Sequence, residues 1–249
     1  MAIKKLSILF LKDGFSFCVA KDSELIHTEK VRFEASQETT FYELLSQKLD
    51  QQLYLNQTYD EVHLAYLGDQ FNIIPSSYFE AEPDAQMWLE FNAEIFEGDS
   101  IETTELSTYD AELIYAYPLE LKEIIDRKFK GAKLESASAL FINSFKLEDD
   151  KAQVFLNIHT NQLELLAFKN QGLYFYNIFE IATKEDLVYY ILNSFKQLEL
   201  DPNEVEVYYF GGDLEEASLK MLMNFVRHVM PGISNTTELS YYTELQNLS

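Results

Sequence analysis

The sequence predicts a duplicated α/β fold, with two lobes that each carry a mixed sheet flanked by helices. Three observations predict it. Two turn segments, Lys21-Asp22-Ser23-Glu24-Leu25 and Lys169-Asn170-Gln171-Gly172-Leu173, each lie between strand-like runs. Thr40 with Glu43 and Thr183 with Asp186 each open a helical stretch, with spacing that lets both side chains satisfy free backbone amides. Glu61 to Asp69 and Glu204 to Asp213 each read as a buried strand running into a glycine and an acid. Each unit therefore reads hairpin, third strand, helix, strand, which divides the chain into lobes at 1–148 and 149–249.

In the first unit Leu6 to Leu11 is a strand, and Asp13-Gly14 is a favoured hairpin turn because glycine accepts a positive φ. Phe15 to Ala20 returns by alternation and Leu25 to Phe33 continues the meander. Thr40 to about Leu53 is helical, because Phe41, Leu45 and Leu49 recur every fourth residue. Glu61 to Leu67 is an apolar strand. Phe71 to Ile74 follows as a short strand. Pro83 to Phe96 is expected to form a helix with Trp88, Phe91 and Ile95 inward and Glu90, Glu94 and Glu97 outward. Ala111 to Tyr117 is a buried strand, and Leu119 to Lys130 a helix led by acids and closed by lysines and Gly131. Leu134 to Phe145 links the lobes, with a hinge at Asp149-Asp150.

In the second unit the strands are Ala152 to Ile158, Gln162 to Phe168 and Leu173 to Ile181, the last rich in aromatic and β-branched residues. Lys184 to Leu198 is helical and Val205 to Phe210 closes the sheet. Leu214 to about Val229 is expected to be a helix, since Leu214, Ala217, Met221, Phe225 and Val229 share one side and Pro231-Gly232 follows. The tail after Ile233 is polar.

Composition narrows the function classes. The formal net charge of −23 disfavours nucleic acid and anionic lipid, because the 19 Lys and Arg are scattered. One cysteine, Cys18, excludes an intramolecular disulfide, and its apolar strand suggests an inert thiol. The run Ile8 to Leu11 is too short to span a bilayer, and Lys4-Lys5 lack the apolar core of a signal peptide, so a cytoplasmic protein is expected. His27, His63, His159 and His228 have no metal-ligand spacing, and there is neither a Gly-x-Ser-x-Gly elbow nor a Gly-x-x-x-x-Gly-Lys loop.

Two copies of strand-strand-strand-helix-strand, spanning Leu6 to Met230, resemble the actin-like ATPase superfamily, whose lobes have a ribonuclease H-like fold. Ile73-Ile74-Pro75-Ser76-Ser77-Tyr78-Phe79, Leu119-Glu120-Leu121 and Ser136-Ala137-Ser138-Ala139-Leu140 further resemble an uncharacterised Bacteroidota family, domain of unknown function 3822, whose members are compact, degenerate actin-like proteins. The superfamily resemblance implies ATP with magnesium in a cleft between lobes, gripped by two hairpin turns and approached by a Gly-Gly turn.

The residues at those places depart from the pattern. At the first turn, Phe10 and Leu11 bring no acid to the strand end; Asp13-Gly14 is either a shifted remnant or a plain hairpin. At the second, Asn157 stands where an aspartate is expected and His159 where a glycine is expected, while Thr160 keeps a hydroxyl. An amide is a poor magnesium ligand and cannot act as a base. The third turn, Gly211-Gly212-Asp213, is best preserved, although Asp213 with Glu216 also reads as a helix cap. Asp13, Gly14, Asn157, His159, Thr160, Gly211, Gly212 and Asp213 are thus the candidate remnants of a nucleotide cleft, with no catalytic residue or metal ligand among them.

The expected function is a non-catalytic actin-like protein that works through a protein partner, with no resident cofactor. The acids Glu90, Glu94, Glu97 and Asp99 favour a basic partner, and a homodimer is a variant of the same idea. Tyr174, Tyr176, Tyr189, Tyr190, Tyr208 and Tyr209 fit either the core or an interface. The alternatives are a nucleotide-binding switch or slow ATPase, and a small-molecule kinase for which no carboxylate base stands out.

Overall fold

The computed structural model describes residues 3–22, 24–36, 39–82, 84–145, 150–211 and 216–232. They fall into two compact units, one running to Ser144 and one beginning at Phe145.

The first unit opens with a meander of β1 (Lys4–Leu11), β2 (Gly14–Lys21) and β3 (Glu24–Arg32). Helix α1 (Phe41–Gln51) and β4 (Glu61–Tyr66) follow. Then come β5 (Phe71–Pro75), α2 (Ser76–Ala81), α3 (Ala85–Glu90), β6 (Ser100–Leu106), β7 (Ala111–Tyr117), α4 (Leu119–Lys128), β8 (Leu134–Ser136) and α5 (Ala137–Asn143). The main sheet has the order β3-β2-β1-β4-β8, antiparallel through the meander and parallel from β1 through β4 to β8. Strands β5, β7 and β6 form a separate antiparallel sheet in the insertion between β4 and β8.

The meander forms because its first turn is tight and its first two strands are apolar and buried. A Cβ on Gly14 would stand 2.0 Å from the Val31 carbonyl oxygen, so only glycine lets β2 and β3 approach there. Six consecutive residues of β1, Leu6 to Leu11, are buried, as a central strand covered on both faces requires. Helix α1 starts at the predicted capping box, with the Thr40 side chain accepting from Glu43 N and Glu43 accepting from Thr40 N, and it buries Leu45 and Leu49. Helix α4 buries Leu121, Ile124 and Ile125.

The second unit repeats the plan with β9 (Gln153–Ile158), β10 (Gln162–Lys169), β11 (Gly172–Glu180), α6 (Lys184–Gln197), β12 (Glu206–Phe210), α7 (Glu216–Leu222) and β13 (His228–Pro231). Its sheet has the order β11-β10-β9-β12-β13 with the same parallel and antiparallel pairs as the first. One sheet face packs Val154, Leu156 and Leu165 against Leu187, Ile191 and Phe195 of α6. Thr183 and Asp186 form the second predicted capping box.

Several expectations are corrected. The helix expected over Pro83 to Phe96 is confined to α3; Pro83 lies outside the described residues, and Phe91, placed inward by spacing, is 74% exposed. Helix α3 stops because Asn92 Nδ2 turns back to donate to the Phe71 carbonyl, tying the chain to β5. The helix expected from Leu214 to Val229 ends at Leu222, and Val229 instead pairs with Val207 in β13. Strand pairing there overrides a helical spacing that happens to continue. The linker over Leu134 to Phe145 is β8 and α5, built into the first unit. Asp149 of the expected hinge, Leu214, and the tail after Ile233 lie outside the described residues. Among the described residues no helix is long and apolar enough to cross a membrane.

Candidate functional site

Four regions hold the candidate residues: the tips of the two corresponding hairpins, the turn after β12, and a cavity in the first unit. At the first tip, Asp13 does not point an unengaged carboxylate outward. Its Oδ2 lies 3.0 Å from Arg32 Nε, an ion pair in which both side chains are about three-quarters buried. The Asp13 carbonyl also accepts from Phe33 N at 3.1 Å. Gly14 is accounted for by the close approach of Val31.

At the second tip, His159 N donates to the Gln162 carbonyl at 2.9 Å, leaving Thr160 exposed at the turn. The polar side chains beneath the turn converge on Glu164, a carboxylate with 0% exposure in β10. Asn157 Nδ2 donates to Glu164 Oε2 at 2.6 Å, and His159 Nε2 lies 2.9 Å from the same oxygen. The Tyr176 hydroxyl of β11 donates to Oε1 at 2.7 Å. A buried carboxylate is tolerable only when its lone pairs are filled in this way. Asn157 and His159 are thus committed to the protein's own interior.

After β12, Gly211 has φ 101° and a Cβ there would stand 2.0 Å from the Ile158 carbonyl oxygen. The need for glycine follows from contact with β9 alone. Gly212 and Asp213 lie outside the described residues. The structure therefore brings Asn157 and His159 together, with Thr160 next in the chain, and sets Asp13 and Gly14 in the first unit with partners of their own.

These residues do not suit a magnesium-triphosphate grip. The β1 end offers Phe10 and Leu11 rather than an acid, Asn157 is a neutral amide, and the His159 ring is held inward by Glu164. Among the described residues no three of His, Cys, Asp and Glu converge as metal ligands would.

A cavity of about 800 Å³ opens in the first unit, beyond the carboxyl ends of the parallel strands β1 and β4. In open α/β sheets ligands favour this edge. Phe10 and Lys12 come from the end of β1 and its turn; Tyr66 and Asp69 come from the end of β4. Phe41 and Tyr42 enter from the first turn of α1, and Glu120 from that of α4. The loop after α3 supplies Glu94, Phe96, Glu97 and Asp99.

That loop is fixed by hydrogen bonds. Asp99 Oδ2 accepts from Phe96 N at 3.0 Å, and Gln70 Nε2 donates to the Glu94 carbonyl at 2.5 Å. Gly68 has room only because it lacks a Cβ, which would stand 2.4 Å from the Tyr66 ring. Lys12, the one lysine of the wall among the described residues, is ion-paired with Asp69. The electrostatics are strongly negative. Burial, then Glu120 and Asp99, push the Tyr42 phenol up to about 12. Burial, then Tyr42, Asp69 and Asp99, push the Tyr66 phenol up as well. Both hydroxyls therefore stay protonated and serve as neutral donors and acceptors.

Sequence reasoning picked out Glu94, Glu97 and Asp99 as an acidic surface but missed Tyr42, Tyr66, Asp69 and Glu120, which no local pattern joins. It also missed Glu164 and Arg32. Glu164 had a signal: it interrupts an otherwise apolar strand, Leu163-Glu164-Leu165-Leu166-Ala167-Phe168. Of the tyrosines left between core and interface, Tyr176 is buried at Glu164, while Tyr174 and Tyr189 are exposed. Tyr208 stacks on Phe155 and Tyr190 on Phe179.

Comparison with known proteins agrees with the topology. A crystal structure from Bacteroides thetaiotaomicron VPI-5482, a protein with an actin-like ATPase fold and unknown function, superposes with a TM-score of 0.81 at 20% identity, covering 98% of this chain and 95% of that one. The PilM-PilN type IV pilus biogenesis complex matches with a TM-score of 0.60 at 12% identity, covering 92% of this chain and 88% of that one. No functionally curated protein matches the chain. The fold is thus that of the actin-like ATPases. A family model described as a protein of unknown function, DUF3822, matches residues 2–229, and the chain belongs to that family.

Proposed function

We propose that this chain is a non-catalytic actin-like protein that acts by binding a protein partner. One observation carries the reading: Asp13, Asn157, His159 and Gly211, at the places where the fold would meet a nucleotide, are engaged by the protein itself. Asp13 is held by Arg32, Asn157 and His159 are tied to Glu164, and Gly211 sits against Ile158. A phosphate entering the second turn would have to displace the Glu164 network, leaving a buried carboxylate poorly satisfied. The PilM-PilN complex supports the reading, since a protein of this fold occurs there with a partner. A cytoplasmic location and a monomer or homodimer of this chain are compatible with it.

The test is ligand-linked stability. A protein that binds Mg-ATP melts higher in its presence, by an amount set by affinity. Scanning fluorimetry of the purified chain with millimolar Mg-ATP should leave the melting temperature unchanged. Release of inorganic phosphate should match the protein-free control. A clear magnesium-dependent rise in melting temperature, or turnover above the control, overturns the proposal. Light scattering separates monomer from homodimer.

A further inference from the structure

We propose that the cavity at the carboxyl end of β1 and β4 is the docking site for a lysine- or arginine-rich segment of a protein partner. This rests on the reading that the chain works through such a partner, and it names the surface and the chemistry.

Three features of the cavity support this. The first is charge. Among the described residues, Asp69, Glu94, Glu97, Asp99 and Glu120 line it with Lys12 as the one basic side chain, and Lys12 is ion-paired with Asp69. A phosphate or a carboxylate ligand would meet net repulsion there, whereas an ammonium or guanidinium group would be drawn in. The second is the aromatic wall. Phe41, Tyr42, Tyr66 and Phe96 surround the acids, and Phe96 is 61% exposed at the rim. Ring faces attract a cation within about 6 Å of the centroid and cover its aliphatic stem. The third is preorganisation. Asp99 is held by Phe96 N, Gln70 ties the loop at Glu94, and the phenols stay protonated, so the wall is set before a ligand arrives.

The size of the space selects among cationic occupants. A cavity of about 800 Å³ exceeds what one metal ion fills, and no three acidic or histidine side chains among the described residues converge on a point. It suits one or two long side chains with their backbone. A second copy of this chain is a poor occupant, because its own charge of −23 opposes the approach.

The probe is a fluorescein-labelled peptide of alternating arginine and glycine, titrated with the intact chain and read by fluorescence polarisation. The same peptide with glutamate for arginine serves as the charge control. The arginine peptide should bind and the glutamate peptide should not. Glu97→Lys and Glu120→Lys should each weaken binding about fivefold, as reversal of a charge in contact does. Glu24→Lys makes the same change in net charge at the opposite end of the main sheet, where β3 begins beside Lys21 and Lys4. It should alter binding by less than about twofold. Phe96→Ala, which leaves charge untouched, should weaken binding about threefold. Melting curves of the variants confirm that each is folded.

Equal loss from Glu24→Lys and Glu97→Lys would mean diffuse attraction and overturns the site. So would absence of binding to the arginine peptide at millimolar protein. Spermine that binds more tightly than the peptide, with the same losses in Glu97→Lys and Glu120→Lys, would make the cavity a small-cation site and overturns the peptide claim. A protein partner that binds wild-type and Glu97→Lys chains equally would leave the partner reading standing and remove this surface from it. Stabilisation by Mg-ATP would instead strike the partner reading, whatever the peptide does.

Discussion

The two units each build a sheet on the same plan but put their polar chemistry in different places. In the second, the polar groups are internal: Asn157, His159 and Tyr176 meet Glu164 beneath a hairpin tip. In the first, they are at the surface: the insertion between β4 and β8 walls off a cavity whose acids face solvent. Among the described residues, the link from β12 to β13 holds a single short helix, α7, whereas the link from β4 to β8 holds a second sheet and three α-helices. A duplicated frame therefore does not duplicate its sites; the insertion decides where a ligand can be met.

The largest break in this comparison is expected at Glu164. Glu164→Ala deprives three buried groups of a common acceptor and should lower unfolding free energy by about 3–5 kcal/mol in urea titrations. Glu164→Gln keeps one acceptor oxygen and should lose less. Acid-face variants of the first unit, such as Glu97→Lys, should stay within about 0.5 kcal/mol of wild type. Similar losses in both sets would erase the distinction between internal and external chemistry.

Next come two glycines at close strand approaches, one in each unit. A Cβ at Gly14 or at Gly211 stands 2.0 Å from a carbonyl oxygen of another strand. Gly14→Ala and Gly211→Ala should each destabilise by about 2–3 kcal/mol, measured by the same titration. A large loss at Gly14 with none at Gly211 would show that only the first unit depends on such a close approach. Smaller still are the helix caps. Thr40→Ala and Thr183→Ala should each cost about 1 kcal/mol.

What was legible in the sequence was what is local. Both capping boxes are set by residues within three positions of each other and stand where the pattern puts them, while the first hairpin turn lies one residue earlier than expected, at Lys12-Asp13, with Gly14 already paired with Leu11. The missed elements depend on distant partners. Strand β6, Ser-Ile-Glu-Thr-Thr-Glu-Leu, is too polar to stand out and exists because β7 pairs with it. Strand β13 hides inside a helical spacing until Val207 is placed beside Val229. The cavity was illegible for the same reason, since Tyr42, the pair Tyr66 and Asp69, and Glu120 come from three separate segments.

The mildest probe of the comparison is alkaline titration. The Tyr42 phenol ionises at about 12 in the folded chain against an ordinary 10.0. Its contribution to stability is complete below pH 10.0 and is lost as pH rises through about 12. Ultraviolet titration should find late-ionising phenols, and Tyr42→Phe should remove one. If Glu120→Gln also brings the Tyr42 transition down, the negative field of the cavity is confirmed where the proposed docking needs it.

Glu164 has a consequence for assembly of the second sheet during folding. It faces Asn157 across one strand border and reaches Tyr176 across the other. A slide of β10 by one position would swing this carboxylate among Val154, Leu156 and Ile158 and set a leucine against the amide and phenol. Misaligned hairpins are thereby penalised on both sides at once. A single charged residue thus acts as an alignment pin for three strands that aliphatic side chains alone would let slip.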